Sequence, residues 1–209
     1  MTRYDENTKQ YRQLEVWPEL TAGSHASLLK YRFQWTFPLL ISPHDNKTVY
    51  VTSQYVHKTI NDGQSWEVIS PDLSLDDEKM QGFSGGLTGD NIAVEYANVI
   101  YAFDESPVQK GVFWAGTNDG LVHVSQDDGK IWNNVTKNIP DLPEYGVVRN
   151  IEASKWHVGK AYLTIDFHQE GNFAPYVYKT ENFGKSWKKI TQGIKEGNLS
   201  YTRCIKEDP

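Results

Sequence analysis

One eight-residue pattern occurs three times in this 209-residue chain, and it constrains the fold more than any other feature. The pattern is Ser/Thr-x-Asp/Asn-x-Gly-x-x-Trp, with copies at residues 59–66, 125–132 and 180–187. The Asp or Asn can accept hydrogen bonds from nearby backbone N–H groups, and the glycine supplies a left-handed backbone position at no steric cost. The Trp begins the outgoing strand and folds its ring back over the turn. Each copy therefore predicts a β-hairpin. The structural residues of the three turns are Asn61, Gly63, Trp66, Asp127, Gly129, Trp132, Asn182, Gly184 and Trp187.

The sequence around each hairpin repeats as well. An alternating strand precedes every copy, a short strand follows it, and two more strands lie upstream around a polar or Pro-containing turn. Four short strands in roughly 45 to 55 residues are typical of one β-propeller blade. A sandwich of two sheets fits less well, because a sandwich does not repeat its sequence. We predict an all-β fold with three complete four-stranded antiparallel blades and partial blades at both ends.

These units cover the whole chain as a single partial propeller, residues 1–209. The predicted parts are the outer hairpin of a preceding blade at 1–16, blades at 31–70, 93–137 and 147–191, an insert at 71–92, and the first strand of a next blade at 201–209. A propeller usually closes with about 4 to 8 blades. The sequence therefore predicts a truncated parent, a self-associating fragment, or ring closure between the two ends. Exposed blade edges make a homo-oligomer one of the expected assemblies.

Composition and charge exclude several classes of function. The net charge is -6 and the basic residues are scattered singly, so no basic field is available for nucleic acid. No apolar run approaches the roughly 18 residues of a membrane span, and the polar N-terminus is no signal peptide. Cys204 is the single cysteine, and the histidines show no metal-ligand spacing, so no metal site is expected. The glycine-rich run at 82–89 lacks the Lys-Ser/Thr of a phosphate loop, and no cofactor is predicted.

The three turns, the run Tyr31–Pro38 and the segment Gly85–Asn91 resemble the Asp-box propellers, also called bacterial neuraminidase repeats. The chain looks most similar to their sortilin-like and xyloglucanase-like branch, which is often labelled glycosyl hydrolase. The resemblance implies a secreted or periplasmic parent and a polysaccharide or protein ligand. It does not fix an activity, because the same turn occurs in enzymes, receptors and assembly factors.

Candidate ligand contacts lie near the starts of the innermost strands and in the insert. Sialidases of this family place three arginines around a carboxylate. Three arginines of this chain lie near the starts of innermost strands. The family's Arg-Ile-Pro motif is missing, however, which argues against a sialidase. The candidate ligand-binding residues are Arg32, Trp35, Asn91, Tyr96, Arg149 and Arg203.

Glycoside hydrolysis needs two carboxylates, ~5–5.5 Å apart for retention or ~6.5–9.5 Å for inversion. The best catalytic candidates are Asp90 and Glu95, with Asp119 and Asp166 as further carboxylates. No complete catalytic set is visible. The sequence thus predicts a carbohydrate- or protein-binding scaffold within a larger propeller protein. The alternative is a glycoside hydrolase, xyloglucanase- or sialidase-like, whose active site needs missing blades or a second subunit.

Overall fold

The chain folds into successive antiparallel β-sheets in a computed structural model that describes residues 1–89, 91, 96–195, 197 and 199–208. Within these residues there are three four-stranded sheets, named here blades A, B and C, and one two-stranded N-terminal hairpin. The N-terminal hairpin consists of β1 (Thr2–Asp5) and β2 (Gln10–Gln13). Blade A consists of β3 (Leu39–Ile41), β4 (Val49–Thr52), β5 (Val56–Thr59) and β6 (Glu67–Val68). Blade B consists of β7 (Ile100–Glu105), β8 (Phe113–Thr117), β9 (Val122–Ser125) and β10 (Asn133–Asn134). Blade C consists of β11 (Val147–Ala153), β12 (Ala161–Phe167), β13 (Asn172–Thr180) and β14 (Lys188–Lys189). Short 3-10 turns lie at Ala26–Leu28, Glu78–Met80, Thr136–Asn138 and His168–Glu170.

Each blade is a meander in which every strand pairs with the next one along the chain. The blades then pack face to face, and β7 lies against β11. Trp114 of blade B meets Val148 and Leu163 of blade C in one buried cluster. Tyr50 of blade A meets Phe113 of blade B in another. The predicted all-β class is confirmed, and the face-to-face packing is that of consecutive blades.

The third and fourth strands of every blade are joined by the repeated turn. In blade B, Asp127 Oδ1 accepts a hydrogen bond from the backbone N–H of Ile131 at 2.9 Å, and Ser125 Oγ accepts one from the N–H of Gly129 at 3.1 Å. The bond from Ile131 is the main reason that the pKa of Asp127 is lowered. Gly129 has φ +84°, a conformation that favours glycine. The Asp127 carboxylate therefore stabilises the turn.

The glycine of each turn is covered by a residue that directly follows a strand earlier in the chain. The three pairs, with the distance from a Cβ built on the glycine to the nearest covering atom, are Leu14 over Gly63 (3.0 Å), Ile69 over Gly129 (2.5 Å) and Val135 over Gly184 (2.8 Å). Leu14 follows β2 as Ile69 follows β6. The N-terminal hairpin thus lies against blade A as the outer half of a blade would.

The C-terminal segment, residues 201–208, forms no strand but runs beside β11. The backbone N–H of Ile205 donates to Asn150 Oδ1 at 2.9 Å. Blades B and C are joined in a similar way, since the N–H of Ala153 donates to Asp104 Oδ2 at 2.8 Å. The segment therefore lies beside β11 much as β11 lies beside β7. The predicted first strand of a further blade stays a prediction, because no strand partners the segment within the described residues.

Candidate functional site

A cleft of about 550 Å³ opens where the first strands of blades B and C begin. The repeated turns follow the third strands and therefore lie at the opposite ends of the blades. The cleft walls come from the chain before β3, the starts of β7 and β11, and the loops between second and third strands. The lining residues are Gln34, Trp35, Thr36, Met80, Tyr96, Ala97, Tyr101, Asn118, Asp119, Tyr145, Val147, Arg149, Gln169 and Glu170.

A buried carboxylate fixes Arg149, the arginine among the described residues that line the cleft. Arg149 Nε donates to Asp166 Oδ2 at 3.1 Å, and its Nη1 donates to Tyr101 Oη at 2.7 Å. His168 Nδ1 lies 2.8 Å from both oxygens of Asp166, and its ring stacks on Tyr201. Burial acts to raise the pKa of Asp166, but the hydrogen bonds from His168 and the charge of Arg149 lower it below its ordinary value. The guanidinium is thereby held in one orientation.

Aromatic rings occupy the cleft in two different ways. Trp35 exposes 65% of its surface and Tyr145 exposes 43%. Tyr96 is buried, and its hydroxyl donates to the carbonyl of Thr21 at 3.2 Å. Its own carbonyl accepts a hydrogen bond from Asn118 Nδ2 at 2.9 Å. Trp35 and Tyr145 are thus accessible to a ligand, whereas Tyr96 supports the floor.

The predicted ligand contact Arg32 lies away from the cleft wall. Its side chain is buried, and its Nε donates to the carbonyl of Asn98 at 3.0 Å. Its Nη2 lies 2.9 Å from Asp72 Oδ2 and 3.3 Å from Asp76 Oδ1. A buried cation needs partners of this kind. Arg32 therefore ties the insert to blades A and B.

Two other predicted contacts also lie outside the cleft. Asn91 Oδ1 accepts the N–H of Ser84 at 2.9 Å, and its carbonyl accepts the N–H of Gly23 at 2.9 Å, so Asn91 closes the glycine-rich part of the insert. Arg203 is exposed, with its guanidinium 5.3 Å from the ring centre of Tyr201. Of the six predicted ligand contacts, the cleft brings together Trp35, Tyr96 and Arg149.

The carboxylate candidates fall into two groups. Asp90 and Glu95 lie outside the described residues. Asp119 lines the cleft but is buried, and its Oδ2 accepts from Asn98 Nδ2 at 2.7 Å and from the N–H of Leu75 at 3.0 Å. Asp119 therefore joins the insert to blade B. A pair of free carboxylates at the spacing of a glycosidase is not present among the described residues that line the cleft, where Glu170 is the exposed acid.

Sequence reasoning missed most of the residues that line the cleft, among them Tyr101, Asn118 and Tyr145. Tyr101 lies one position into β7, where its hydroxyl meets Arg149 of the next blade. Asn118 comes from the loop between β8 and β9. Tyr145 has φ +61°, and the left-handed conformation of a bulky residue often marks a functional site. The glycine that follows it, Gly146, was the available signal, since glycine beside a strand start indicates close backbone approach.

The described part of the chain lacks two kinds of feature. It contains no helix long and apolar enough to cross a membrane. It also holds no group of three or more His, Cys, Asp or Glu side chains placed to bind a metal ion.

Comparison with solved structures identifies the class of fold as a β-propeller. An ancestral GH74 enzyme matches 81% of this chain and 20% of its own, with 16% identity and a TM-score of 0.53. The GH74 xyloglucanase of Xanthomonas campestris matches 73% of this chain and 22% of its own, with 18% identity and a TM-score of 0.48. A YCF48 structure bound to a D1 peptide matches 76% and 42%, with 19% identity and a TM-score of 0.43.

The predicted propeller-type fold is confirmed by the blades and by the match to the ancestral GH74 enzyme. At 16% identity that match shows the fold alone, and the chain spans only a fifth of that enzyme. The sequence matches no family model and no curated protein.

Proposed function

We propose that the chain is an Asp-box propeller module of a larger protein, and that its cleft binds a carbohydrate. The exposed ring of Trp35 on the wall of a polar cleft carries this proposal. Sugar rings have an apolar C–H face that stacks on aromatic rings, and hydroxyl groups that need hydrogen-bond partners. Trp35 and Tyr145 supply the rings.

The polar groups of the cleft suit an uncharged, hydroxyl-rich ligand. Amide side chains can both donate and accept. Gln34 and Asn118 each use one N–H and one oxygen lone pair within the protein and keep the second of each for a ligand, and Gln169 is exposed. Arg149 adds a fixed donor whose charge is balanced by Asp166. Such a cleft has no strong preference for a charged ligand, and it has the balance of apolar surface and oriented polar groups found in small-molecule sites.

Binding is better supported than hydrolysis. Asp119 is occupied by hydrogen bonds, and Asp166 is paired with Arg149 and His168. A glycosidase would need a second free carboxylate beside Glu170. The untested candidates for that role are Asp90 and Glu95.

A glycan array and polysaccharide affinity electrophoresis test the proposal. We expect Trp35→Ala and Tyr145→Ala to abolish binding of whichever glycan the parent retains. Trp156→Ala is the matched control, because Trp156 is 60% exposed but lies in the loop at the opposite end of β11. Binding that survives both cleft variants, or no glycan bound at all, would refute a carbohydrate cleft. Release of reducing ends that is lost in Asp90→Asn or Glu95→Gln would establish the hydrolase instead.

A further inference from the structure

A second pocket, named here the side pocket, lies beside the cleft and shares Asp119 and Tyr145 with it. Its volume is about 560 Å³, and it opens between the insert and the connection from β10 to β11. Its aliphatic lining comes from Leu75, Leu121, Ile139 and Leu142, together with Pro143, and its polar lining includes Asn134 and Thr136. Apart from Tyr145 it has no aromatic ring among its described lining residues. The side pocket therefore suits an apolar side chain better than a sugar.

The walls of the side pocket are held in place before any ligand arrives. The Asp119 carboxylate accepts a hydrogen bond from the backbone N–H of Leu75 and thereby fixes Leu75. Gly120, at φ +99°, packs against the backbone of Gly146. A Cβ built on Gly120 would lie 3.3 Å from both the nitrogen and the oxygen of Gly146. Tyr145 is held in a left-handed conformation beside this contact. A pocket kept open in this way avoids part of the ordering cost of binding.

Two exposed acidic side chains, Asp141 and Glu144, lie at the mouth of the side pocket. Neither carboxylate forms an ion pair within the described part of the chain. Lys137 is the one basic residue among the described lining residues. The mouth thus has an excess of negative charge, which attracts a cationic ligand and disfavours an anionic one.

We propose that the side pocket binds a basic polypeptide segment, with one leucine-sized side chain inserted between the aliphatic walls and lysine or arginine residues flanking it. The inserted side chain loses its contact with water, and the flanking cations face the carboxylates at the mouth. This proposal is independent of the carbohydrate cleft, since the two sites share only Asp119 and Tyr145 among their described lining residues.

The probe is the peptide acetyl-Lys-Lys-Leu-Lys-Lys-amide, titrated into ¹⁵N-labelled full-length chain while amide shifts are followed. Two comparison peptides replace the central leucine by serine, or all four lysines by glutamate. We expect the leucine peptide to shift the amides of Leu121 and Leu142, the serine peptide to bind at least about tenfold more weakly, and the glutamate peptide not to bind. Equal binding of the serine or the glutamate peptide, or no shifts with the leucine peptide at millimolar concentration, would overturn the proposal.

Two double variants distinguish an effect of the carboxylates at the mouth from an effect of the protein's overall charge. Asp141→Asn with Glu144→Gln removes two mouth carboxylates while keeping shape, and Asn tolerates the φ of +52° at position 141. We expect it to weaken the leucine peptide by about tenfold. Glu15→Gln with Glu19→Gln, both exposed elsewhere, should leave the affinity unchanged. Equal weakening by both double variants would show that the peptide responds to the overall charge of the protein. The proposed binding at the side pocket would then be wrong. Trp35→Ala should still bind the peptide, which distinguishes the side pocket from the cleft.

Discussion

The backbone carbonyl oxygen of Ile69, at the end of blade A, lies directly over Gly129 in the turn of blade B. A Cβ built on Gly129 would be 2.5 Å from that oxygen, and the same oxygen accepts a hydrogen bond from Trp132 Nε1 at 3.0 Å. The repeated turn is therefore part of the contact between blades as well as a hairpin connection. Backbone atoms cannot move aside as a flexible side chain can.

The first prediction follows from this contact. Gly129→Ala should lower the free energy of unfolding by about 2–4 kcal/mol, because it adds overpacking to an unfavourable positive φ. Gly193→Ala is the matched control, since Gly193 has φ +88° with nothing within 4 Å of its added Cβ. That variant should lose only about 1 kcal/mol. Urea unfolding measures both, and equal losses would show that the contact between the blades tolerates a methyl group.

The second prediction concerns two buried histidines at matching strand positions. Burial lowers the pKa of His57 and of His123 to about 4, below the ordinary 6.5. The unfolded chain therefore takes up protons first as the pH falls, and the folded state loses stability between about pH 6.5 and 4. Each histidine contributes up to about 3 kcal/mol to this loss.

The His57→Gln and His123→Gln variants should flatten the fall in stability with pH, measured by urea unfolding at several pH values. Exposed His157→Gln is the control and should keep the parental slope. Asp104, whose pKa burial raises to about 6, acts in the opposite direction within the same window. The change of stability with pH in each variant must therefore be compared with that of the parent, to which Asp104 contributes equally. If both variants lose stability with falling pH as steeply as the parent, the rings of His57 and His123 are not buried in their neutral form.

The sequence predicts local features well because their causes lie within a few residues. The turn at 125–132 can be recognised from one Asp, one glycine and one Trp at fixed spacing. Arg32 shows the opposite case. Its partners Asp72 and Asp76 lie 40 or more residues further along the chain, so the sequence alone made this arginine a candidate ligand contact. Tyr145 was missed for a similar reason, since its exposure depends on how the insert packs beside blade B.

The third prediction tests the buried carboxylate behind the cleft. Asp166→Asn should lower the free energy of unfolding by about 3 kcal/mol, because Arg149 then loses its buried ionic partner. The lowered pKa of Asp166 means that its contribution is present above its ordinary pKa and is lost as the pH falls through the lowered value. The difference between variant and parent should therefore shrink in acid. Exposed Asp208→Asn serves as the control and should differ from the parent by less than about 0.5 kcal/mol.

The last prediction concerns the attachment of the C-terminal segment to blade C. Glu207 accepts hydrogen bonds from Lys160 Nζ at 2.6 Å, from Tyr162 Oη at 3.1 Å and from the N–H of Lys155 at 3.0 Å. Burial opposes the charged form, but the hydrogen bonds from Lys160, Ser154, Lys155 and Tyr162 together outweigh it, and the pKa of Glu207 is lowered to about 2. Glu207 is therefore charged at neutral pH and anchors the segment beside β11.

Glu207→Gln should speed hydrogen–deuterium exchange across residues 201–208 by about tenfold, since a charge-assisted bond contributes about 1.5–3 kcal/mol. Exchange in β11 to β13 should stay as in the parent, because the blade C core does not depend on this side chain. Asp208→Asn is the control for a change of charge in the same segment, and it should leave the exchange of 201–208 unaltered. If Glu207→Gln exchanges like that control, Glu207 does not anchor the segment. The segment would then be held by its other contacts, among them the ion pair of Lys206 with Glu152 and the hydrogen bond of Ile205 to Asn150.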